Sequence, residues 1–370
     1  MQRHMSGRRK IAAVGLSGGV DSAVAAWLLK RAGWDVVGLT MSIWDGSVPI
    51  PDLGLSGCFG PGEARDLEAA ADVAARLGIE HRVVRLAEEY KQTVLDYFRE
   101  EYLAGRTPNP CVRCNQRMKF GFLLAQARAQ GVAFDRFATG HYARTRFDEA
   151  SGRWLLLRGQ DADKDQSYFL SRLKPEQLAE LVFPLGDLRK GEVKEIAREQ
   201  GWDDLAGKDE SQDFIECADY AVLFRPGDAR PGDFVTRDGT VLGQHRGVIR
   251  YTIGQRKGLE LGGGGTPWYV LEIDAARNRV VVGPREELYA RDLVAADLNW
   301  IGLAGPPERP FRCAVQIRQR HRAAPAAVSA ENGRLIVRFD EPQLSITPGQ
   351  IAVFYDGDAV LASGTIEKPA

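Results

Sequence analysis

The chain has 370 residues, with 49 Lys+Arg against 50 Asp+Glu and a formal net charge of −1. Its composition, 44% hydrophobic and 27% charged, is that of a globular protein and excludes a collagen, a disordered tail protein and a histone-like polycation. At roughly 100–200 residues per domain, the length predicts two or three domains. No stretch reaches the ~18 consecutive apolar residues of a membrane span, and no signal peptide is recognisable. We therefore expect a cytoplasmic protein that does not associate with membranes.

Residues 10–142 alternate short apolar runs with longer amphipathic ones. The pattern predicts strands over residues 10–16, 35–43, 81–86 and 134–139. It predicts helices over residues 21–32, 63–77, 87–103 and 115–130. Alternation of this kind is typical of an α/β fold with a doubly wound parallel sheet, because right-handed crossover helices cover both faces.

After about residue 215 the pattern changes to short strand-like runs separated by glycine, proline and Asn-Gly or Asp-Gly turns. The predicted strands are residues 233–236, 241–244, 268–273, 279–282, 311–317, 334–339 and 350–355. Such a series predicts a mainly-β region, either a small barrel or a sandwich.

The first chemical signal is a glycine-rich loop between the first predicted strand and helix. It consists of Gly15, Leu16, Ser17, Gly18, Gly19, Val20, Asp21 and Ser22. Glycines let the backbone approach an anion, the serines add hydroxyl donors, and the helix N-terminus adds a favourable dipole. No lysine follows the glycines, which excludes a kinase-type phosphate loop. Asp21 either caps the helix or helps to hold Mg²⁺.

The second signal is a cysteine pair. In a chain of this length, five cysteines do not form a structural disulfide framework, so each is inert or reactive. Cys111 and Cys114 lie in the string PNPCVRCN, whose prolines predict that the helix starts near Asn115. Cys114 would then lie at a helix N-terminus, where the dipole and Arg113 favour the thiolate. The pair also suits a metal or an Fe–S cluster. We expect Cys313, in a predicted strand, to pack in a core.

With these residues the chain resembles the bacterial tRNA-specific 2-thiouridylase family of the ATP pyrophosphatase-loop superfamily. The resemblance rests on SGGVDS, GRTPNP with CN, ATGHY, KDQSYFL, ESQD and YTIGQRKGL. It implies a catalytic domain over residues 1–215, a central tRNA-binding mainly-β domain over 216–290 and a β-barrel over 291–370. It also implies ATP-dependent adenylation of the C2 oxygen of the tRNA wobble uridine, followed by sulfur transfer, with Mg²⁺ as cofactor.

The resemblance carries over to individual positions. Cys114 matches the nucleophile, and ATP is expected to bind residues 15–22, Met41 and Gly140. The expected border of the target base is Asn109, Pro110 and Cys111. The positions expected to touch tRNA are His141, Lys164, Asp165, Gln166, Arg318, Gln319 and Gln350.

The chain departs from the family at the second cysteine, which many members have two residues after the aspartate of SQD. That position here is Ile215, and Cys217 follows two residues later. One hypothesis is a persulfide relay between Cys114 and Cys217. The other is a 4Fe–4S cluster held by Cys111, Cys114 and either Cys217 or Cys58. The sulfur donor, a relay protein, a cysteine desulfurase or free sulfide, is open.

Two basic clusters without acids, at residues 245–257 and 312–322, favour RNA binding. Two other functions stay open from the residues alone. One is an amide-forming ligase with the same loop, and the other is a non-catalytic RNA-binding protein.

Overall fold

The computed structural model describes residues 9–54, 57–208, 213–217, 219–262 and 267–367. The strands are β1 Ile11–Gly15, β2 Asp35–Ser42, β3 Gly57–Phe59, β4 Glu80–Arg85, β5 Arg136–Ala138, β6 Ala143–Asp148, β7 Arg153–Arg158, β8 Leu181–Val182, β9 Asp213–Ile215, β10 Gly232–Val235, β11 Val241–His245, β12 Tyr269–Asp274, β13 Arg279–Gly283, β14 Tyr289–Trp300, β15 Phe311–Gln316, β16 Ala324–Glu331, β17 Arg334–Leu344, β18 Ile351–Asp356 and β19 Ala359–Glu367.

The α-helices are α1 Val20–Arg31, α2 Glu63–Leu77, α3 Ala87–Tyr90, α4 Asp96–Leu103, α5 Pro110–Cys114, α6 Leu123–Ala129, α7 Ser167–Leu170, α8 Pro175–Leu178, α9 Lys190–Glu199 and α10 Asp203–Gly207. π-Helical turns cover Lys91–Leu95 and Asn115–Phe122. Short 3₁₀ turns cover Tyr220–Leu223, Val248–Arg250, Ala275–Arg277 and Arg285–Leu288. Within the described residues, no helix has the length and apolar character needed to cross a membrane.

The chain packs as two compact units that interleave in sequence. The first contains the described residues up to Tyr90 together with Asn115–Cys217. The second contains Lys91–Cys114 and the described residues from 219 onward. The segment that carries Cys111 and Cys114 therefore packs with the C-terminal strands. The domain boundaries after residues 215 and 290 stay predictions.

The first unit is built on a parallel sheet with the strand order β4-β2-β1-β5-β8. β1 is apolar throughout and lies in the middle of the sheet. The chain adds β2 and β4 on one side of β1, and then β5 and β8 on the other. The predicted doubly wound sheet is confirmed. The buried side of α1 contains the run Ala23, Val24, Ala25 and Ala26, whose small size allows close packing of the helix on its neighbours. The same core includes side chains of α2, α9 and α10.

The second unit contains two β modules. β10–β13 form a four-stranded sheet in the order β11-β10-β13-β12, with a core around Phe234, Val270 and Val280. β14–β19 form an antiparallel barrel in the order β14-β17-β16-β15-β18-β19, which closes because β14 also pairs with β19. The predicted C-terminal barrel is confirmed. Alternate side chains of the barrel strands fill its core, as in β17, where Leu335, Val337 and Phe339 are buried.

The helix after the PNP string differs from the prediction. It begins at Pro110, not near Asn115, because proline has no N–H to lose at the first position of a helix. Cys111 is therefore the second residue of α5, and Cys114 is its last. The prediction that Cys114 lies at a helix N-terminus was wrong, because the helical run begins at Pro110 and continues past Cys114 into the π-helical turn Asn115–Phe122. The predicted helix 87–103 also contains a π-helical turn after Tyr90.

Candidate functional site

The loop between β1 and α1 is organised by its own hydroxyl groups. Ser22 Oγ accepts a hydrogen bond from the Ser17 backbone N–H at 3.2 Å and donates one to the Gly19 carbonyl at 3.0 Å. Ser17 is exposed, whereas Ser22 is buried. The loop follows the carboxyl end of β1, where the strand order reverses between β1 and β5, and open α/β sheets bind ligands at this point. The first N–H groups of α1 are available there to an anion.

Two glycines of the site are required by close approach. Gly18 has φ +71°, and a Cβ atom there would lie 2.6 Å from Ala69 Cβ on α2. Gly140 follows β5, and a Cβ atom there would lie 2.7 Å from the Asp21 carbonyl carbon. The predicted residues Gly18 and Gly140 thus each lie where the neighbouring part of the chain leaves no room for a side chain.

The carboxylate of Asp21 does not cap α1. Its two oxygens lie 2.7 Å and 2.8 Å from Lys190 Nζ, and Oδ1 accepts a hydrogen bond from the Tyr142 hydroxyl at 2.8 Å. Lys190 Nζ also lies 5.9 Å from the centroid of the Tyr142 ring. The backbone N–H of Lys190, the first residue of α9, donates to Asp161 at 2.9 Å. A cation is therefore already held against the acidic residue of the glycine-rich loop.

Met41 lies half-buried near the carboxyl end of β2. The segment after it is held by Glu63, the first residue of α2. Glu63 Oε1 accepts hydrogen bonds from the backbone N–H groups of Ile43 at 2.5 Å and Trp44 at 2.7 Å, and Oε2 accepts one from Ser42 Oγ at 2.8 Å. This carboxylate fixes the loop that follows the predicted ATP-binding residue Met41.

The cysteine pair of the second unit lies on α5. Asn109 caps this helix, because its Oδ1 accepts a hydrogen bond from the Val112 N–H at 3.0 Å. Arg113 anchors it, with Nε donating to the Thr93 carbonyl at 3.3 Å and the guanidinium 5.2 Å from the ring centroid of Tyr97. Cys111 and Cys114 are both half-buried. The structure therefore places the predicted target-base residues and the predicted nucleophile on one capped helical turn.

The other two candidate cysteines belong to a small parallel sheet of the first unit. β3 carries the exposed Cys58, and the half-buried Cys217 follows β9 by two residues. Gly57 pairs with Asp213, and Phe59 pairs with Ile215. Glu210, Ser211 and Gln212 of the ESQD string lie outside the described residues.

Glu216 fixes the chain next to Cys217. The residue is 5% exposed, and its Oε2 accepts the Gly62 N–H at 2.7 Å, while its own backbone N–H donates to the Phe59 carbonyl at 3.0 Å. Burial raises the pKa of the Glu216 carboxyl, and the hydrogen bond from Gly62 acts in the opposite direction. A Cβ atom at Gly60 would lie 2.6 Å from Glu216 Cβ, so the glycine loop is shaped around this side chain.

The described residues contain no group of three His, Cys, Asp or Glu side chains placed to hold a metal ion. Cys111 and Cys114 lie in the second unit, and Cys58 and Cys217 lie in the first. The described part of the chain thus presents no ligand set for an Fe–S cluster. In β15, burial raises the pKa of the Cys313 thiol to about 12, which agrees with the expected packing role.

Asp165, one of the positions expected to touch tRNA, is engaged within its own turn. Its side chain is 8% exposed. It accepts hydrogen bonds from Arg158 Nη1 at 2.9 Å, from the Gly159 N–H at 3.0 Å, and from the Ser167 N–H and hydroxyl at 3.0 Å and 2.9 Å. These contacts identify Asp165 as the organiser of the turn between β7 and α7.

The neighbouring residues expected to touch tRNA also make hydrogen bonds within the protein. Gln166 Oε1 accepts the Tyr142 N–H at 2.9 Å, and the Lys164 N–H donates to the Asp161 carbonyl at 3.1 Å. His141 is 9% exposed, and its Nδ1 lies 2.7 Å from Thr139 Oγ1. Burial holds the pKa of His141 well below its usual value, so the ring is neutral. Contact of these residues with tRNA stays a prediction.

In the barrel, two of the expected tRNA positions lie in the turn after β15. Arg318 Nη1 donates to the Leu344 carbonyl at 2.9 Å, and the Gln319 carbonyl accepts from Gln316 Nε2 at 2.9 Å. Gln350, before β18, donates from Nε2 to the carbonyls of Thr107 and Pro108, each at 3.0 Å.

The basic clusters are less positive than their local sequences indicate. Arg246 pairs with both oxygens of Glu260, at 2.8 Å and 2.9 Å, and Arg250 pairs with Asp219 at 2.6 Å. Arg312 pairs with Asp340. Arg256, Lys257, Arg320 and Arg322 are exposed as well.

Sequence reasoning missed three residues: Lys190, Glu63 and Glu216. Each acts through a carboxylate contact with a segment remote in sequence, 169 residues away for Lys190 and Asp21. The sequence predicts Glu63 only as the first residue of a helix. An acid at that position is the sequence signal that could have pointed to its contact with the segment after β2.

Protein-family models match three consecutive parts of the chain. The tRNA methyl transferase HUP domain matches residues 10–217, the tRNA methyl transferase PRC-barrel domain matches 221–284, and the aminomethyltransferase beta-barrel domain matches 290–366.

Full-length relatives give a more specific result. The tRNA-specific 2-thiouridylase MnmA of Endomicrobium trichonymphae is 45% identical over 357 residues, 95% of this chain and 98% of that protein. The protein of the same name from Moorella thermoacetica is 47% identical over 365 residues, 96% of this chain and 99% of that protein. The one from Geotalea uraniireducens is 46% identical over 368 residues, 97% of this chain and 96% of that protein. The chain belongs to the tRNA-specific 2-thiouridylase family.

Proposed function

We propose that the chain is an ATP-dependent sulfurtransferase that converts the wobble uridine of tRNA to 2-thiouridine. The observation that carries the proposal is the glycine loop at the switch point of a parallel sheet, in a chain of this family that also carries a cysteine pair on a capped helix. The loop supports nucleotide binding and α5 supplies thiols.

In the first step, the C2 oxygen of uridine attacks the α-phosphate of ATP, which forms an adenylated base and releases pyrophosphate. The uridine must leave its stack for this attack, at a cost of a few kcal/mol. The N-terminus of α1 and the loop N–H groups stabilise the negative charge of the phosphates. Asp21 is the loop residue suited to hold Mg²⁺, which would require Lys190 to release one of its oxygens.

In the second step, sulfur replaces the activated oxygen. In the persulfide route, the Cys114 thiolate displaces the outer sulfur of a persulfide on Cys217 as hydrosulfide, and a disulfide forms. Hydrosulfide then attacks C2, and AMP leaves with the former C2 oxygen. The disulfide needs two electrons from a thiol reductant before the next turnover. A relay protein or a cysteine desulfurase supplies the outer sulfur of the persulfide in this route, whereas free sulfide would attack C2 directly as hydrosulfide.

The direct test is thiolation of tRNA by the full chain with ATP, Mg²⁺ and a sulfur source, read by mass spectrometry of the nucleosides. Cys114→Ser should abolish 2-thiouridine formation while tRNA binding is retained. Cys313→Ser is the matched control, because that thiol packs against the barrel core. If Cys114→Ser still made 2-thiouridine, the nucleophile would be misassigned.

The sulfur route is tested separately. Cys217→Ser should stop turnover in the persulfide route, and Cys58→Ser should leave it unchanged. The alternative is a cluster-bound sulfide, which predicts iron and acid-labile sulfide in anaerobically purified protein and their loss in Cys111→Ser. Pyrophosphate release that requires ammonia and not tRNA would instead indicate the amide-forming ligase.

A further inference from the structure

The GRTPNP loop is held from two sides by the β modules of the second unit. Gly105 has φ +74°, and a Cβ atom there would lie 2.9 Å from the Ile273 carbonyl oxygen on β12. The Thr107 N–H donates to the Pro348 carbonyl at 2.8 Å. The loop thus enters α5 from a fixed direction, and its last two residues before Asn109 face the turn that precedes β18.

That turn approaches the loop as closely as backbone permits. Gly349 has φ +91°, and a Cβ atom there would lie 2.9 Å from the Thr107 carbonyl oxygen and 3.0 Å from its nitrogen. The turn is itself tied to the last barrel strand, because the Gly349 N–H donates to the Ile366 carbonyl at 2.9 Å and the Ile366 N–H donates to the Gln350 carbonyl at 2.8 Å.

Gln350 completes the connection with its side chain. Nε2 has two hydrogens, and its two acceptors are the carbonyls of Thr107 and Pro108. Two carbonyl acceptors also decide which end of the amide is nitrogen. Both donors are therefore committed to the loop, and only Oε1 is left to accept a hydrogen bond from RNA.

We propose that Gln350 is a positioning residue for the thiolation site. Its side chain ties the barrel to the loop that presents Asn109, Pro110 and the cysteines of α5, and so restricts the motion of that loop. This inference deepens the proposed function and rests on it. It differs from a role in RNA contact alone, because its effect is present in the protein without tRNA. The barrel is then part of the catalytic apparatus and not only a surface for RNA.

The test compares the full chain with Gln350→Met, which is similar in length and has no donor, and Gln350→Asn, which is polar but one methylene too short. Gln316→Met is the matched control, because Gln316 donates from the same amide to two carbonyls of another barrel turn. Without tRNA or ATP, the readouts are amide hydrogen exchange of residues 105–114 and the alkylation rates of Cys111 and Cys114.

Both Gln350 variants should raise exchange of residues 109–114 by about fivefold or more, the expected effect of losing two hydrogen bonds, and should change both alkylation rates. Gln316→Met should leave this segment unchanged. With tRNA, kcat for thiolation should fall about tenfold or more in the Gln350 variants. Unchanged exchange and alkylation in both variants, with only a higher KM for tRNA, would overturn the proposal. If the wild-type chain formed no 2-thiouridine, the proposed function would fail, whereas the exchange result would still decide whether Gln350 holds the loop.

Discussion

Lys190 makes a bidentate contact with the glycine-rich loop. It holds both oxygens of Asp21, and the two side chains are 12% and 27% exposed. Replacement by methionine leaves a partly buried carboxylate with only the Tyr142 hydroxyl, which should destabilise the fold by about 1–3 kcal/mol. ATP-dependent pyrophosphate release should also fall.

Thermal unfolding and pyrophosphate release of Lys190→Met are the measurements. Lys194→Met, on the same helix, is the control and should change neither. Equal unfolding temperatures for Lys190→Met and the wild type would show that the ion pair does not stabilise the fold.

Glu216 predicts a pH dependence of stability. Its pKa is raised in the folded state, so between the ordinary glutamate pKa and the raised one the folded chain binds more protons than the unfolded chain. This contribution to stability is full at low pH and is lost as pH rises through that window. Glu216→Gln keeps an acceptor for the Gly62 N–H without the charge, and its stability should therefore fall less between pH 4 and pH 8.

The measurement is the unfolding temperature of both proteins across this pH range, with the exposed Glu199→Gln as control. Parallel curves for the wild type and Glu216→Gln would contradict a raised pKa at this position.

At the scale of elements, the cap of α5 is the feature that a single change tests best. Asn109→Ala removes the acceptor for the Val112 N–H, a loss that costs about 0.5–2 kcal/mol at helix N-termini. Asn109→Asp retains the cap and should keep the stability. Chemical denaturation of the two variants gives the difference, and an alanine variant as stable as the aspartate variant would refute a capping role.

The parallel sheet and its glycine-rich loop were predictable because their signals are local: a buried apolar strand, a glycine turn and a helix follow one another. Other elements were not. β16 has the sequence APAAVSAE, which contains a proline, yet it pairs with both β15 and β17. β14 contains several polar or charged residues and has two partners, β17 and β19. β16 is held between the two strands that flank it in sequence, whereas both partners of β14 are distant in sequence, and propensity alone reveals neither kind of pairing.

The same distinction applies to the site. Residues of the glycine loop and the cysteine pair stand in recognisable strings, so the sequence was enough to select them. The helix start at Pro110 required knowing that Asn109 acts as a cap. The contacts that Asp165, Gln166 and Gln350 make within the protein exist only in the folded chain. The expectation that these positions touch tRNA gives no information about those contacts.

At the scale of the whole molecule, charge pairing decides which cations are available to RNA. Net charge is −1, and several arginines of the basic clusters already hold carboxylates. Replacement of the exposed Arg256 and Lys257 by alanine should weaken tRNA binding and lower the slope of log K against log salt by about 0.7–0.9 for each phosphate that is no longer neutralised. Arg246→Ala, which removes a cation paired with Glu260, should change the slope less.

Titration of tRNA binding at several salt concentrations gives these slopes. Equal slopes for the double variant and the wild type would exclude this surface from phosphate binding.

The anchoring of Thr107 by Gln350 also has a consequence for biosynthesis. The two residues are 243 positions apart. At a translation rate of about 5–20 residues per second, roughly 12–50 s pass between their syntheses. During that delay, the segment with Cys111 and Cys114 lacks the hydrogen bonds from Gln350, and its two thiols are open to oxidation in the nascent chain. The α5 segment therefore reaches its final packing only after the last strands have left the ribosome, and a premature stop near the end of the message would leave Cys111 and Cys114 on an unsupported loop.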